Sequence, residues 1–167
     1  MTPPGVVLPA YGRGSLAEVV PAAAAALGAG LRGSDDVLPL PATRRCVVLL
    51  VDGLGERLLL DHADDAPYLC ALPHRVITAP VPSTTATSLT SLGTALAPGQ
   101  HGVVGFTSRI PGTSRLLNAL RWDSRVDPAD WQPHPTAFGT LAAAGTATTV
   151  VSKRAFLGSG LTLASQR

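Results

Sequence analysis

Five apolar residues stand without interruption at positions 47–51, between Cys46 and Asp52. A run of that kind predicts a strand buried on both faces, as in the middle of a parallel α/β sheet. Asp52 then emerges at the strand's carboxyl end and is followed at once by Gly53 and Gly55. Open α/β sheets place their ligands at this edge.

About thirty residues on, RVITAPVP reads as a second strand, leaving through Pro80 and Pro82 into Ser83, Thr84 and Thr85. Leu89, Leu92 and Leu96 follow at helical spacing, so Thr85 falls in the first turn of a predicted helix. Ser83 or Thr84 can cap that turn, and its free backbone N–H groups favour an anion such as phosphate. Thr87, Ser88, Thr90, Ser91 and Gly93 are middling or poor helix formers, so something other than local propensity selects them.

Elsewhere the pattern alternates in the same way. SLAEVVPAAAAALGAGL, from Ser15, predicts a helix with Ser15 and Glu18 as a capping box, and its apolar run is too short to span a membrane. GSDDVLPLPATRR is a polar, proline-containing connector, and YLCAL looks helical. SRLLNALRWD reads as an extended segment or active-site flap, and DPADWQPHP as an irregular loop. Residues 135–144 predict a helix stopped by Gly145, and ATTVV the next parallel strand. GSGLT, from Gly158, reads as a loop leading onward, with no terminating element after Leu163. Strands alternating with helices indicate an α/β fold whose crossovers lay the helices on the sheet faces.

A length of 167 residues allows a sizeable core, and the net charge of +2, with scattered arginines, argues against a nucleic-acid partner. Lys153 is the single lysine in a chain rich in Ala, Gly, Pro and Arg, a compositional hint of a GC-rich bacterial genome. Cys46 and Cys70 are expected to be buried free thiols in a reducing cytoplasm. The first fourteen residues lack the basic start of a signal peptide, and no membrane partner is implied.

Each candidate site residue also has a plain structural role open to it. An aspartate before glycine is a common turn residue, and a Ser/Thr cluster is commonly a cap or loop. Gly53-Leu54-Gly55 lacks the third glycine of a dinucleotide fingerprint, since position 58 is leucine. Gly158-Ser159-Gly160 lacks the spacing of a serine-hydrolase elbow. His101 is read as structural, packing under a helix end, and His62, His74 and His134 fall in settings unrelated to a metal site.

VVLLVDGLG, then PSTT, then TSLGTALAPGQHGVVG together resemble the amino-terminal core of the alkaline phosphatase superfamily, in its type I phosphodiesterase/nucleotide pyrophosphatase branch. FGTLAAAGTATTVVSKRAFLGSGLT resembles the helix, strand and loop that follow, so the likeness covers roughly residues 44 to 164. The resemblance implies an alkaline-phosphatase-like three-layer sandwich with a mostly parallel sheet, here its amino-terminal part. Residues 1–43 would be a helix and connector, and 44–167 the incomplete catalytic domain. It further implies that Asp52 is a metal ligand, and that Thr85 is both the nucleophile and a ligand of the same metal. The complete enzyme would hold two divalent ions, zinc in the first instance, and act on a small phosphate ester or nucleotide through a phosphothreonine intermediate. Coordination to a dication is one way to activate a threonine hydroxyl. Thr84 remains the competitor for the nucleophile, with the register taken from Pro82 and from His101, sixteen residues beyond Thr85.

Two departures stand out. Phe106 occupies the place of an asparagine that in the family helps to hold phosphoryl oxygens. The family's other ligands, two aspartates and three histidines in Asp-x-x-x-His and Asp-His settings, have no counterpart here. The chain is therefore expected to be an amino-terminal portion of a hydrolase, or alternatively a truncated, non-catalytic fragment.

Overall fold

The computed structural model describes residues 7–31 and 37–167; positions 1–6 and 32–36, which hold part of the proline-rich start and of the polar connector, lie outside the described residues. Ser15 opens the first element as expected. Its hydroxyl accepts from the Ala17 N–H at 3.2 Å, and the Glu18 carboxylate accepts from the Ser15 N–H, completing the capping box. A short 3-10 turn, Leu16–Glu18, runs from this cap into helix α1, Val19–Ala26.

Helix α2, Glu56–Asp61, and helix α3, Pro67–Ala71, form a small pair on the surface with none of their residues fully buried. Helix α4 follows at Thr85–Thr94, then the single turn α5 at Pro98–His101. Strands β1, Thr107–Arg109, and β2, Leu116–Asn118, pair antiparallel as a hairpin, which gives the SRLLNALRWD segment its partner. DPADWQPHP contains a helical turn, α6, Pro128–Trp131, because Asp127 caps it and Pro128 suits the first helical position. Helix α7, Ala137–Ala143, is capped by Thr136 and ends before Gly145 at φ 85°. Helix α8, Gly160–Gln166, closes the described chain.

The GSGLT segment is therefore the start of a helix and not an outgoing loop. Ser159 Oγ accepts from the Thr162 N–H at 3.2 Å, and Gly160 suits a position where an added Cβ would overlap the Trp122 ring.

Helix α4 lies at the centre and packs against α8, α5, α7, α1 and the Leu16–Glu18 turn. On one side Leu92 joins Val20, Ala24, Ala137 and Leu141 in a core cluster. On the other, Ala86 joins Val103, Ala119 and Leu161, flanked by Trp122 and Trp131, whose rings meet edge to face at 6.4 Å. The weak helix formers now have a reason. Gly93 faces the Ser165 backbone of α8 so closely that a Cβ there would collide with it. Thr90 and Thr94 are buried but return their hydroxyl protons to the carbonyls of Ala86 and Thr90, at 2.8 and 2.6 Å, so close packing leaves no polar group unpaired.

The expected mostly parallel sheet is where the described structure departs from the sequence reading. Among the described residues the one ladder is the β1–β2 hairpin, with an isolated parallel bridge between Ser15 and Thr78. Residues 47–51 form no strand and are unpaired and exposed, Val47 at 90% and Leu49 at 83%, and Val151 at the end of the third apolar run is 93% exposed. Such runs are stable strands only with neighbours to bond their backbones and cover both faces. Cys46 shares this exposure and is not buried as expected, whereas Cys70 is half-buried with Sγ 3.6 Å from the Leu59 carbonyl; both are free thiols. No helix among the described residues is long and apolar enough to cross a membrane.

Two outcomes follow. Gly93→Ala is expected to destabilise the chain by about 1–3 kcal/mol through overpacking against α8, whereas Gly99→Ala, with open space around it, costs much less; denaturant melts of the two variants compare them. The unpaired apolar runs are expected to drive self-association and binding of a hydrophobic dye. A monodisperse monomer in light scattering, silent to the dye, would contradict this.

Candidate active site

Asp52 is set by a tight turn. The Leu54 N–H donates to the Val51 carbonyl at 3.3 Å, and Gly53 takes φ 79°, a conformation that glycine adopts at little cost. The carboxylate is thus turned out at the end of the exposed apolar run. Thr85 is the first residue of α4, reached through the cis Val81–Pro82 peptide. The two meet: Thr85 Oγ1 donates to Asp52 Oδ2 at 3.0 Å across thirty-three residues of sequence.

The neighbouring threonine is differently employed. Thr84 is the N-cap of α4, and its hydroxyl accepts from the Thr87 N–H at 3.4 Å and lies 3.0 Å from Thr87 Oγ1. Its oxygen is turned back onto the helix. Thr85 is partly exposed and has its hydroxyl directed at a carboxylate, which makes it the better placed of the two to meet a ligand.

The histidines lie apart from this pair. His62 Nδ1 is 3.4 Å from Asp65, His74 Nδ1 is 3.0 Å from the Leu72 carbonyl, and His134 Nε2 is 3.1 Å from the Gln100 carbonyl. His101 is 1% exposed under the end of α4, the structural place expected of it. Its Nδ1 accepts from the Val103 N–H at 3.1 Å, so in the neutral ring Nε2 carries the proton and donates to Ser91 Oγ at 2.9 Å. Burial, helped by nearby His134, pushes the His101 pKa down from 6.5 to about 4. Ser91 is a partner that no sequence signal marked, because a serine ten residues before a histidine has no special spacing.

Asp52 and Thr85 offer two hard oxygen donors, of the type that suits a divalent cation. Among the described residues no group of three His, Cys, Asp or Glu side chains converges to complete such a site. The pair fits as part of a ligand set and no more. Phe106 is 47% exposed at the entry to the β1–β2 hairpin, where its carbonyl accepts from the Ala119 N–H at 3.0 Å.

A family model described as type I phosphodiesterase / nucleotide pyrophosphatase matches residues 46–163, a span that begins at the apolar run and includes Asp52, Thr85 and His101. The chain belongs to this family. No curated protein and no solved structure matches it. The type I phosphodiesterase/nucleotide pyrophosphatase family has an alkaline-phosphatase-like α/β fold, comprises hydrolases of phosphate esters and nucleotides, and generally uses divalent metals. In this member the resemblance in sequence therefore coincides with a real meeting of Asp52 and Thr85 in space.

The buried imidazole gives the fold of this family member a pH dependence. His101 is neutral when folded and titrates near 6.5 when unfolded, so the unfolded chain binds more protons between pH 6.5 and about 4. Its contribution is present above pH 6.5 and is lost as pH falls through that window, by about 3 kcal/mol at most. Thermal melts from pH 7 to pH 4 are expected to fall more steeply for the unmodified chain than for His101→Gln; equal slopes would contradict this.

Proposed function

We propose that the chain carries the nucleophile-bearing part of a metal-dependent phosphate ester hydrolase, of phosphodiesterase or nucleotide pyrophosphatase type, with Thr85 as the attacking group. The observation that carries the reading is the 3.0 Å hydrogen bond from the Thr85 hydroxyl to Asp52, at the mouth of a buried helix and within the family span. Asp52 and Thr85 would hold one of two divalent ions, zinc the first choice, which when bound supplies Lewis-acid lowering of the hydroxyl pKa. Thr85 Oγ1 would attack phosphorus in line as its proton is lost, the P–O bond to the alcohol or nucleotide would break with that oxygen taking up a proton, and water would hydrolyse the resulting phosphothreonine to restore the hydroxyl. Asp52 holds the hydroxyl in position before attack. Apart from that of Thr87, which Thr84 caps, the N–H groups of the first turn of α4 would favour the phosphoryl oxygens.

In this reading the runs 47–51, 75–80 and 147–151 are strands of a mostly parallel sheet, completed by segments beyond the pairings described here. Residues 1–43 form a helix and connector laid against the catalytic part, 44–167. The way α1 shares a core with α4 and α7 supports that docking. The reading places the protein in the cytoplasm of a bacterium, on the compositional grounds given above.

A second reading, a non-catalytic fragment, is favoured by the ligand set, since two oxygens are short of what tight zinc binding needs. The two readings separate by experiment. In the protein or longer polypeptide that contains these residues, Thr85→Ala is expected to lower hydrolysis of an activated phosphate mono- or diester by several orders of magnitude, and Thr84→Ala far less. Thr85→Ser keeps part of the rate because the hydroxyl survives, and Asp52→Asn lowers both rate and bound metal. Equal effects of the two alanine variants, or none from either, would overturn the assignment of Thr85.

A further inference from the structure

We propose that His101 is a positioning residue for the hydroxyl of Thr85, acting through Ser91 and Val103; this rests on the reading of Thr85 as nucleophile. Among the described residues, the side chains of α4 make two hydrogen bonds to side chains outside the helix and its caps. One is Thr85 to Asp52 at the first turn, and the other is Ser91 to His101 near the last. Thr90 and Thr94 give their hydroxyl protons back to their own helix, and Thr94 Oγ1 accepts from the Leu96 N–H just past its end, so neither ties α4 to another element.

The two bonds lie six residues apart on one rigid helix, about 9 Å along its axis. They differ in surroundings. Asp52 is exposed on an unpaired run, whereas Ser91 and His101 are 0% and 1% exposed. The small residues of α4 allow close approach but supply few projecting side chains to fix the helix's rotation. A buried, directional bond does fix it, because leaving either partner unpaired is costly. The first turn, and with it the Thr85 hydroxyl, then follows the end that cannot rotate.

His101 reaches α4 by a second route. Its Nδ1 holds the Val103 N–H, and the Val103 side chain packs in the cluster with Ala86, the residue next to Thr85. One imidazole thus uses one nitrogen to fix the far end of α4 and the other to fix what packs beneath the near end. A residue serving the fold alone would stabilise the chain without setting where the Thr85 oxygen lies.

The test reads position independently of turnover. In the 167-residue chain, the 13C resonance of the Asp52 carboxyl, assigned by its loss in Asp52→Asn, reports the Thr85 hydrogen bond, with Thr85→Ala giving its value when that bond is absent. Ser91→Ala and His101→Asn, which keeps an acceptor near Nδ1 but cannot reach Ser91, are expected to shift the resonance toward the Thr85→Ala value. His101→Gln, able to donate to Ser91, is expected to restore part of the shift. Where hydrolysis is measurable, kcat falls about tenfold with KM unchanged. If the variants melt lower while the resonance stays at its original value, His101 is structural only and the proposal is overturned. If Thr85→Ala itself leaves the resonance unmoved, the pair does not exist in solution and the proposal fails. Should the His101 variants not fold, Ser91→Ala, which removes a single hydroxyl, decides. An unmoved carboxyl resonance with an intact Thr85 effect on hydrolysis would overturn this proposal and leave the functional reading standing.

Discussion

The rest of the structure depends on α4 being buried on most of its surface at short range. A helix enclosed by α8, α7, α1 and α5 has little room for large side chains and no water for the hydroxyls of Thr87, Thr90, Ser91 and Thr94. Alanine, glycine and threonines that bond back to their own carbonyls meet both demands. The cost is low intrinsic helix propensity, which packing must offset. That exchange explains why α8 approaches through Ser165 at Gly93, and why Leu92 is the one large apolar side chain that α4 itself gives to the cluster with Val20 and Leu141. It also explains the capping by Thr84, because a short helix of weak formers gains most from a satisfied first turn.

What the sequence made legible was local. The Ser15–Glu18 capping box, the stop of α7 at Gly145, the first-turn place of Thr85 and the buried setting of His101 each rest on interactions within a few residues or on a motif. The meeting of Asp52 with Thr85 came from family resemblance joined to the strand-end position, and the structure brings the two together. Helix α8 was missed because two glycines near its start read as a loop. Only the Trp122 ring over Gly160 explains why a glycine is needed inside that helix. The serine three residues before Thr162 was a usable cap signal. Helix α6 likewise had its Asp127-Pro128 signature in view.

The apolar runs lack, among the described residues, the pairing expected of them, for a different reason. Residues 47–51 and 147–151 have the composition of interior strands, and composition reports what a segment needs, not what it finds. An interior strand is made by its neighbours, which no window of a few residues contains. Cys46 is exposed for the same reason, since its expected burial was borrowed from the strand it opens.

The candidate site lies where these two kinds of structure meet. Thr85 belongs to the packed helical body, while Asp52 terminates a run whose side chains are exposed. A hydrogen bond such as theirs contributes a net of about 0.5–1.5 kcal/mol. Ordering the backbone of a single residue costs about 1–2 kcal/mol, so this one bond is small beside the cost of ordering the run 47–51. The Asp52 side of the site is therefore held less firmly than the Thr85 side, which has its place in the packed helix α4. Of the two members of the pair, the threonine is the one this part of the chain positions by itself.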